Sequence, residues 1–261
     1  MPALDIYQHN RQAWDRLAAQ DCQWSQPVSA EVIAAAREGD WSVHLTPGSL
    51  PPGWLADVQG LRVLCLAAAG GQQAPVLAAA GAQVTVFDAS AAQLEQDRRV
   101  AARDGLQLDL VQGDMRDLSL FADQSFDLIF HPISNLYVPD VRPVWRECFR
   151  VLVGGGRLLS SFYNPVVFVA DRDPQYAEQG LIKPRFTQPY ADISDLPSEA
   201  LAAKLERGEA LVFGHSLADQ IGGQLVAGFV LEGFHEDAQP VPRFLIDRYL
   251  PTFIATCARK P

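Results

Sequence analysis

Between residues 61 and 162, short continuous apolar runs alternate with segments of helical composition, and this alternation constrains the fold more than any other feature. Runs of this kind are typical of strands buried on both faces. They read LRVLCL, AQVTVFD, LQLDLVQGD, SFDLIFHP and GGRLLSSF, and two further strands, FVLEGFHED and YLPTFIATCARK, follow near the C terminus. Ser90 and Gln93 have the spacing of a capping box and predict the start of one intervening helix. Strands alternating with helices predict an α/β fold with a parallel, doubly wound sheet and helices on both faces.

The segments outside this region suggest how the chain is organised. The Pro- and Gly-rich stretch LTPGSLPPGW precedes the first strand and predicts a boundary. We therefore divide the chain into an N-terminal helical cap over residues 1–55 and a main domain over residues 56–261. Residues 164–212 interrupt the alternation with prolines and aromatic residues, and we expect a lid-like insertion there.

The composition excludes several classes of function. A net charge of -10 over 261 residues argues against nucleic acid and anionic membranes as partners. The four cysteines form no Cys-x-x-Cys pair, which favours reduced thiols and a cytoplasmic protein. We find no signal peptide, no membrane-spanning stretch and no histidine spacing typical of a metal site. The sequence leaves a homodimer open.

The turn after the first strand, CLAAAGGQQ, resembles a nucleotide-binding loop without its full set of glycines. A dinucleotide fingerprint requires Gly-x-Gly-x-x-Gly, and Ala67, Ala69 and Gln72 occupy those positions. The pattern therefore argues against NAD or FAD. Gly70 and Gly71 still allow a tight turn that can approach an adenosine closely.

The ends of the next three strands carry polar residues in a fixed order. Asp88 can accept hydrogen bonds from both hydroxyls of a ribose; the alternative, a helix N-cap, is already provided by Ser90. Asp114 can accept from the amine of an adenine that Met115 covers, although a plain Gly-Asp turn is the alternative. His131 is expected to face the reacting centre, and a buried, hydrogen-bonded imidazole is its alternative.

Four successive strand ends thus carry, in order, small residues, an acid, an acid and a histidine. In this order the chain resembles the class I S-adenosylmethionine-dependent methyltransferases of the type 11-like, small-molecule branch. The matching stretches are VLCLAAAGGQ, VFDAS, GDMRDL, SFDLIFH and RVLVGGGRLL, and NRQAWDRLA resembles the N-terminal helix that closes over the cofactor. The resemblance covers about residues 60–162 and, more weakly, the stretch from Ala227 to the last strands. It implies a Rossmann-like, seven-stranded sheet, mostly parallel with an antiparallel last strand, within a methyltransferase domain over residues 56–261.

The resemblance also implies the residues of the site. The cofactor, S-adenosyl-L-methionine, is expected to contact Ala67, Ala69, Gly70, Gly71, Gln72, Asp88, Ala89, Gln93, Asp114, Met115, Arg116 and His131, and to leave as S-adenosyl-L-homocysteine. His131 and Tyr137 are the expected catalytic residues, with His131 as a candidate base. The acceptor is expected to contact Trp14, Asn135, Tyr137 and His215 beneath an aromatic lid that includes Tyr163, Phe168, Tyr176, Phe186 and Tyr190.

The sequence departs from the family pattern only in the first motif. Cys65 replaces an acid, and Ala67 and Ala69 replace glycines. Because alanine adopts only negative φ comfortably, we expect both alanines to keep extended or helical angles. The predicted activity is methyl transfer to a small-molecule acceptor. Two alternatives are a non-catalytic S-adenosylmethionine-binding or regulatory module and an NAD-dependent Rossmann enzyme.

Overall fold

The computed structural model describes residues 4–20, 22–55 and 57–261, and its centre is one large sheet. The strands of this sheet are β1 (Arg62–Leu66), β2 (Gln83–Asp88), β3 (Leu108–Gln112), β4 (Phe126–His131), β5 (Leu152–Tyr163), β8 (Val230–Asp237) and β9 (Phe253–Arg259), while β6 (Tyr190–Ala191) and β7 (Phe213–Gly214) form a separate pair. The order is β3-β2-β1-β4-β5-β9-β8. The pairs from β3 to β5 are parallel, and β9 runs antiparallel to both β5 and β8. The predicted fold class, including its antiparallel last strand, is confirmed.

Helices cover both faces of the sheet. They are α1 (Ile6–Ala19), α2 (Ala30–Arg37), α3 (Gln73–Ala79), α4 (Ala91–Asp104), α5 (Arg142–Val151), α6 (Pro174–Glu178), α7 (Asp192–Asp195), α8 (Ser198–Glu206) and α9 (Gly223–Ala227). Among the described residues, no helix combines the length and the apolar character that crossing a bilayer requires. The division into a cap, a main domain and an insertion stays a prediction.

The side chains of β1 show why its sequence is apolar throughout. Because successive side chains of a strand point to opposite faces, Val63 and Cys65 enter the core that α2, α3 and α4 cover. Leu64 and Leu66 enter the core that α5 covers. Both faces are buried, as the continuous apolar run predicts.

Local signals place the ends of α4 as the sequence predicts. The Ser90 hydroxyl accepts a hydrogen bond from the Gln93 backbone N–H at 3.2 Å, and Gly105 ends the helix in the left-handed conformation. The predicted start of β5 at Gly155 is three residues late, because α5 passes directly into the strand and Leu152 pairs with Phe126 of β4.

Candidate functional site

A cavity of about 520 Å³ lies where the carboxyl ends of β1 to β5 meet. Its lining follows the order of the strands in the sheet. Over β1, β2 and β3 it is formed by the turns that begin at Ala67, Asp88 and Gly113. Over β4, β5 and β9 it is formed by the segment from Pro132 to Pro139, and by aromatic residues of the later chain. Helix α1 and residues 44–47 cover it.

The turn after β1 adopts a conformation that alanine disfavours. Ala67 has φ +48° and Ala69 has φ +66°, both in the left-handed region, as has Gly71 at φ +73°. The expectation that both alanines avoid positive φ is wrong. Each left-handed alanine costs roughly 1–2 kcal/mol, because its Cβ approaches the following carbonyl oxygen.

Packing against α4 explains why the turn keeps this shape. A Cβ placed on Gly70 would lie 2.5 Å from the backbone carbonyl oxygen of Gln93, so this position admits no side chain. The Gly71 N–H donates to Asp97 Oδ1 of α4 at 2.9 Å. The Gln72 amide donates to the carbonyls of Gln23 and Gln26. The turn is thus held from both sides, by α4 and by the N-terminal segment.

Asp97 is a buried acid that sequence reasoning missed. Burial raises its pKa to about 8, with a further rise from the charge of Asp88 and a partial offset by the Gly71 N–H. Its second carboxyl oxygen is buried and has no hydrogen-bond partner among the described residues. Burial, with Asp97 nearby, raises the pKa of the Cys65 thiol well above its usual range. Both groups are therefore neutral at pH 7.

Asp88 ends β2 at the cavity wall, as predicted. Burial raises its pKa to about 6, while hydrogen bonds from the backbones of Ser90 and Ala89 oppose this rise and the charge of Asp15 adds to it. The Ser90 N–H donates to Asp88 Oδ1 at 2.8 Å. The Ser90 hydroxyl donates a hydrogen bond to Asp15 Oδ1 of α1 at 2.7 Å. This bond ties α1 to the start of α4 beside Asp88. Ala89 and Gln93 also line this end, and Gln93 Oε1 is buried without a partner among the described residues.

Asp114 lies at the neighbouring strand end, together with Met115 and Arg116, and all three line the cavity. The Arg116 guanidinium donates to both carboxylate oxygens of Asp114, at 3.0 Å from Nε and 2.5 Å from Nη2. Each carboxylate oxygen can accept more than one hydrogen bond, so Asp114 keeps capacity for a ligand. Arg116 acts here as the partner that holds the carboxylate in place.

Helix α1 contributes five residues to the cavity lining, Ile6, Tyr7, Asn10, Arg11 and Trp14, and the sequence predicts only Trp14. Tyr7 and Arg11 are the titratable ones, and Arg11 Nε is buried with no hydrogen-bond partner within the described residues. Burial and the charge of Asp114 raise the pKa of Tyr7, whereas Arg11 lowers it. Their spacing of four residues, one helical turn, is a signal that could have identified them.

His131 does not line the cavity. Its ring is fully buried, and its nitrogens lie 2.8 Å from the Leu66 carbonyl oxygen and 2.7 Å from Asn135 Oδ1. Burial lowers the pKa of the imidazole, whereas the hydrogen bonds with the Leu66 carbonyl and Asn135 raise it. This placement corrects the expectation that His131 faces the reacting centre: both nitrogens are engaged, and the ring packs edge-on against Trp145.

Asn135 and His215 are also buried behind the cavity wall and do not line it. Asn135 Nδ2 donates to Gln220 Oε1 at 3.1 Å, and His215 Nε2 lies 3.0 Å from the Asn135 carbonyl oxygen. The predicted direct contact of these two residues with an acceptor is therefore corrected. They join β4 to the segment before α9.

Tyr137 faces the cavity and packs edge-on against Trp14, with 5.1 Å between the ring centroids. Burial raises the pKa of Tyr137 well above its usual value, so the hydroxyl is neutral at physiological pH. Of the five predicted lid aromatics, Tyr163 and Phe168 line the cavity, whereas Tyr176, Phe186 and Tyr190 do not. Sequence reasoning missed Phe244, Phe253, Arg172 and Arg243 on the same wall.

No group of three or more histidine, cysteine or acidic residues suited to a metal ion occurs within residues 4–20, 22–55 and 57–261. The cavity combines the acids Asp88 and Asp114, the unpaired Nε of Arg11, a tight turn of small residues and an aromatic wall.

Comparison with known proteins gives consistent similarities. A family model described as a methyltransferase domain matches residues 64–160. The chain is 49% identical over 249 residues to "Uncharacterized methyltransferase YbaJ" of Bacillus subtilis (strain 168), covering 95% of this chain and 96% of that protein. It is 39% identical over 114 residues to the demethylmenaquinone methyltransferase of Clavibacter sepedonicus, covering 43% of this chain and 46% of that protein.

Solved structures share the fold. An S-adenosylmethionine-dependent methyltransferase from Mesorhizobium loti superposes with a TM-score of 0.59 at 22% identity, covering 79% of this chain and 94% of that one.

Proposed function

The chain belongs to the S-adenosylmethionine-dependent methyltransferases, and from this membership we propose that it methylates a small molecule bound in the cavity described above. The observation that carries the proposal is the cavity itself. About 520 Å³ of space runs from Asp88 and Asp114 to an aromatic wall, beneath a covering helix. Sites of this size and apolar lining suit small organic ligands.

The residues of the cavity fit the cofactor. Asp88 would accept the ribose hydroxyls, and Asp114 and Met115 would hold the adenine. Arg11 Nε and Gln93 Oε1 are both buried and unpaired among the described residues. They would offer one hydrogen-bond donor and one acceptor to the methionine end of the cofactor. Ala67, Ala69, Gly70, Gly71 and Gln72 form the turn, with Ala89 and Arg116 beside it. When bound, the cofactor supplies a methyl group on a positively charged sulfur.

The protein contributes mainly by positioning the acceptor and excluding water. Trp14 and Tyr137 contact each other at the centre of the wall, and helix α1 covers it. Tyr137 serves as a neutral hydroxyl that orients the acceptor, because its raised pKa prevents it from acting as a phenolate base at neutral pH. The buried ring of His131 supports the wall from behind. The alternatives, a non-catalytic module and an NAD-dependent enzyme, gain no support from the comparisons.

The test uses cofactor labelled in its methyl group. A bacterial extract is separated into small molecules, nucleic acid and protein, and each fraction is incubated with the purified protein. We expect label to enter the small-molecule fraction and S-adenosylhomocysteine to form. Transfer only to protein or nucleic acid, or binding of the cofactor with no transfer to any fraction, would contradict the proposal. A cytoplasmic location and a homodimer stay predictions.

A further inference from the structure

The wall opposite Asp88 carries two arginines that form no ion pair with any described acidic residue, Arg172 and Arg243. Most arginines of the described part pair with Asp or Glu, as Arg62, Arg142 and Arg150 do. In a protein of net charge -10, both arginines line the cavity while exposed to solvent, and neither has an acidic partner among the described residues.

Both guanidinium groups are ordered by the same aromatic ring. The Arg172 and Arg243 Cζ atoms lie 5.2 and 5.5 Å from the centroid of Phe244, and Arg172 also lies 5.8 Å from that of Phe168. Stacking of this kind engages the face of a guanidinium and leaves the N–H donors in its plane free. Those donors match the oxygens of a carboxylate or phosphate.

The strand order separates these arginines from the cofactor end. Arg172 follows β5 and Arg243 precedes β9, whereas Asp88 ends β2. Three strand spacings separate β2 from β5 in the sheet, which is roughly 14 Å at about 4.8 Å per spacing. The arginines therefore border the part of the cavity that the acceptor would occupy.

The neighbouring titratable groups do not neutralise this wall. Asp247 lies behind it, accepting hydrogen bonds from the backbone N–H groups of Arg243 and Phe244 and from the Thr252 hydroxyl. Burial raises the pKa of Tyr163, and the charge of Arg243 and a hydrogen bond from its side chain oppose this rise, so Tyr163 is a neutral hydroxyl beside the guanidinium. Burial also raises the pKa of Tyr137, near Arg243, and of Tyr190, near Arg172, so both hydroxyls are neutral as well.

We propose that the acceptor is an organic acid, with an apolar body against the aromatic wall and an oxyanion group held by Arg172 and Arg243. This inference rests on the proposed function, because it names the substrate class of the same site. It also explains why a cavity lined largely by aromatic and aliphatic side chains retains two cations at one end. The group that accepts the methyl would lie on the side of the acceptor that faces the cofactor.

The test measures binding of a charge series by calorimetry to the full chain saturated with S-adenosylhomocysteine. The ligands are 2-naphthoate, 2-naphthyl phosphate, neutral 2-naphthamide and cationic 2-naphthylmethylamine. We expect at least one of the two anions to bind about tenfold or more tightly than the amide, as is typical of hydrogen bonds to charged groups. The two anions distinguish a carboxylate from a phosphate.

Variants assign this preference to the wall. The double variant R172Q/R243Q should bind the preferred anion and the amide alike, whereas Arg248→Gln should keep the preference. Arg248 is an exposed arginine of the neighbouring turn that does not line the cavity. Thermal melting of each variant checks that it folds.

Equal binding of both anions and the amide by the wild type, or a preference that survives in a folded double variant, would overturn the proposal. Failure of the proposed function gives a different result. In that case S-adenosylhomocysteine does not bind or no small molecule is methylated, whatever the charge preference.

Discussion

At the scale of single residues, the turn after β1 shows a conflict between sequence and backbone. Ala67 and Ala69 hold left-handed angles that glycine adopts freely. The shape is imposed by neighbours, because Gly71 is bound by Asp97 and Gly70 lies against the backbone of α4. The chain therefore keeps this tight turn at a cost in stability.

Replacing Ala69 with glycine should stabilise the protein. Removing the Cβ of the left-handed residue relieves backbone strain of roughly 1–2 kcal/mol. Glycine also gives the unfolded chain more conformational freedom, which lowers stability by roughly 0.5–1 kcal/mol. We expect a net gain of about 0.5–1 kcal/mol in urea unfolding, and the same direction for Ala67→Gly. Ala68→Gly is the control, because Ala68 is buried without a positive φ and should lose stability. Equal losses in all three variants would refute the assignment of strain.

The buried carboxyl of Asp97 should make stability depend on pH. Its pKa in the folded protein, about 8, lies above the unfolded value near 4. The folded state therefore keeps a proton that the unfolded state loses, and stability falls as pH rises from about 4 to 8. Asp97→Asn keeps an oxygen for the Gly71 N–H but cannot ionise, so it should gain stability relative to wild type over this range. Urea unfolding at pH 5, 6.5 and 8 measures this.

The control for this prediction is Asp109→Asn, which changes an exposed acid on β3 and should leave the pH slope unchanged. An unchanged slope in Asp97→Asn would show that the carboxyl of Asp97 does not titrate as described.

Loss of the His131 ring should lower the free energy of unfolding but have little effect on the rate of methyl transfer. In His131→Ala the Leu66 carbonyl and the Asn135 amide lose a buried partner, which costs roughly 1–3 kcal/mol each. We expect lower unfolding free energy but turnover within about tenfold of wild type per folded molecule, the range of small positioning effects. A thousandfold loss of turnover with unchanged stability would instead identify His131 as the base.

At the level of elements, a buried amide, that of Asn10, helps to hold helix α1 over the cavity. Asn10 Nδ2 donates to the carbonyls of Tyr137 and Leu211 at 2.8 and 3.0 Å, and Asn10 Oδ1 accepts from the Leu211 N–H at 2.8 Å. The helix, the wall segment and the later chain are therefore joined at a single side chain. Asp15 fastens the same helix to α4.

Asn10→Ala should loosen this cover. Three buried backbone groups lose their partner, and we expect a loss of roughly 2–4 kcal/mol, because unpaired buried groups cost more than exposed ones. Limited proteolysis should cut near α1 sooner, and KM for both substrates should rise. Gln12→Ala, on an exposed position of the same helix, is the control. Wild-type protease resistance in Asn10→Ala would show that the cover is held elsewhere.

At the scale of the whole molecule, the sequence predicts the sheet well because its signals are local. Continuous apolar runs identify the strands, and the sequence predicts Asp88 and Asp114 because they lie at or just after the end of a strand. The orientation of His131 could not be predicted from the sequence. The ring could point into the cavity or hydrogen-bond with Leu66 and Asn135, and only the fold decides between them. Arg11, Arg172 and Arg243 were missed because distant segments bring them together only in the fold.

We expect the ends of β2 and β3 to bind the adenosine of S-adenosylmethionine. The most direct measurement is calorimetric titration with S-adenosylhomocysteine and with NAD at pH 7.5, where Asp88 is ionised because its pKa is about 6. We predict one bound S-adenosylhomocysteine per chain, no binding of NAD, and affinity at least about tenfold weaker in Asp88→Asn but unchanged in Asp109→Asn. Binding of NAD alone, or undiminished affinity in Asp88→Asn, would show that these strand ends do not bind the adenosine.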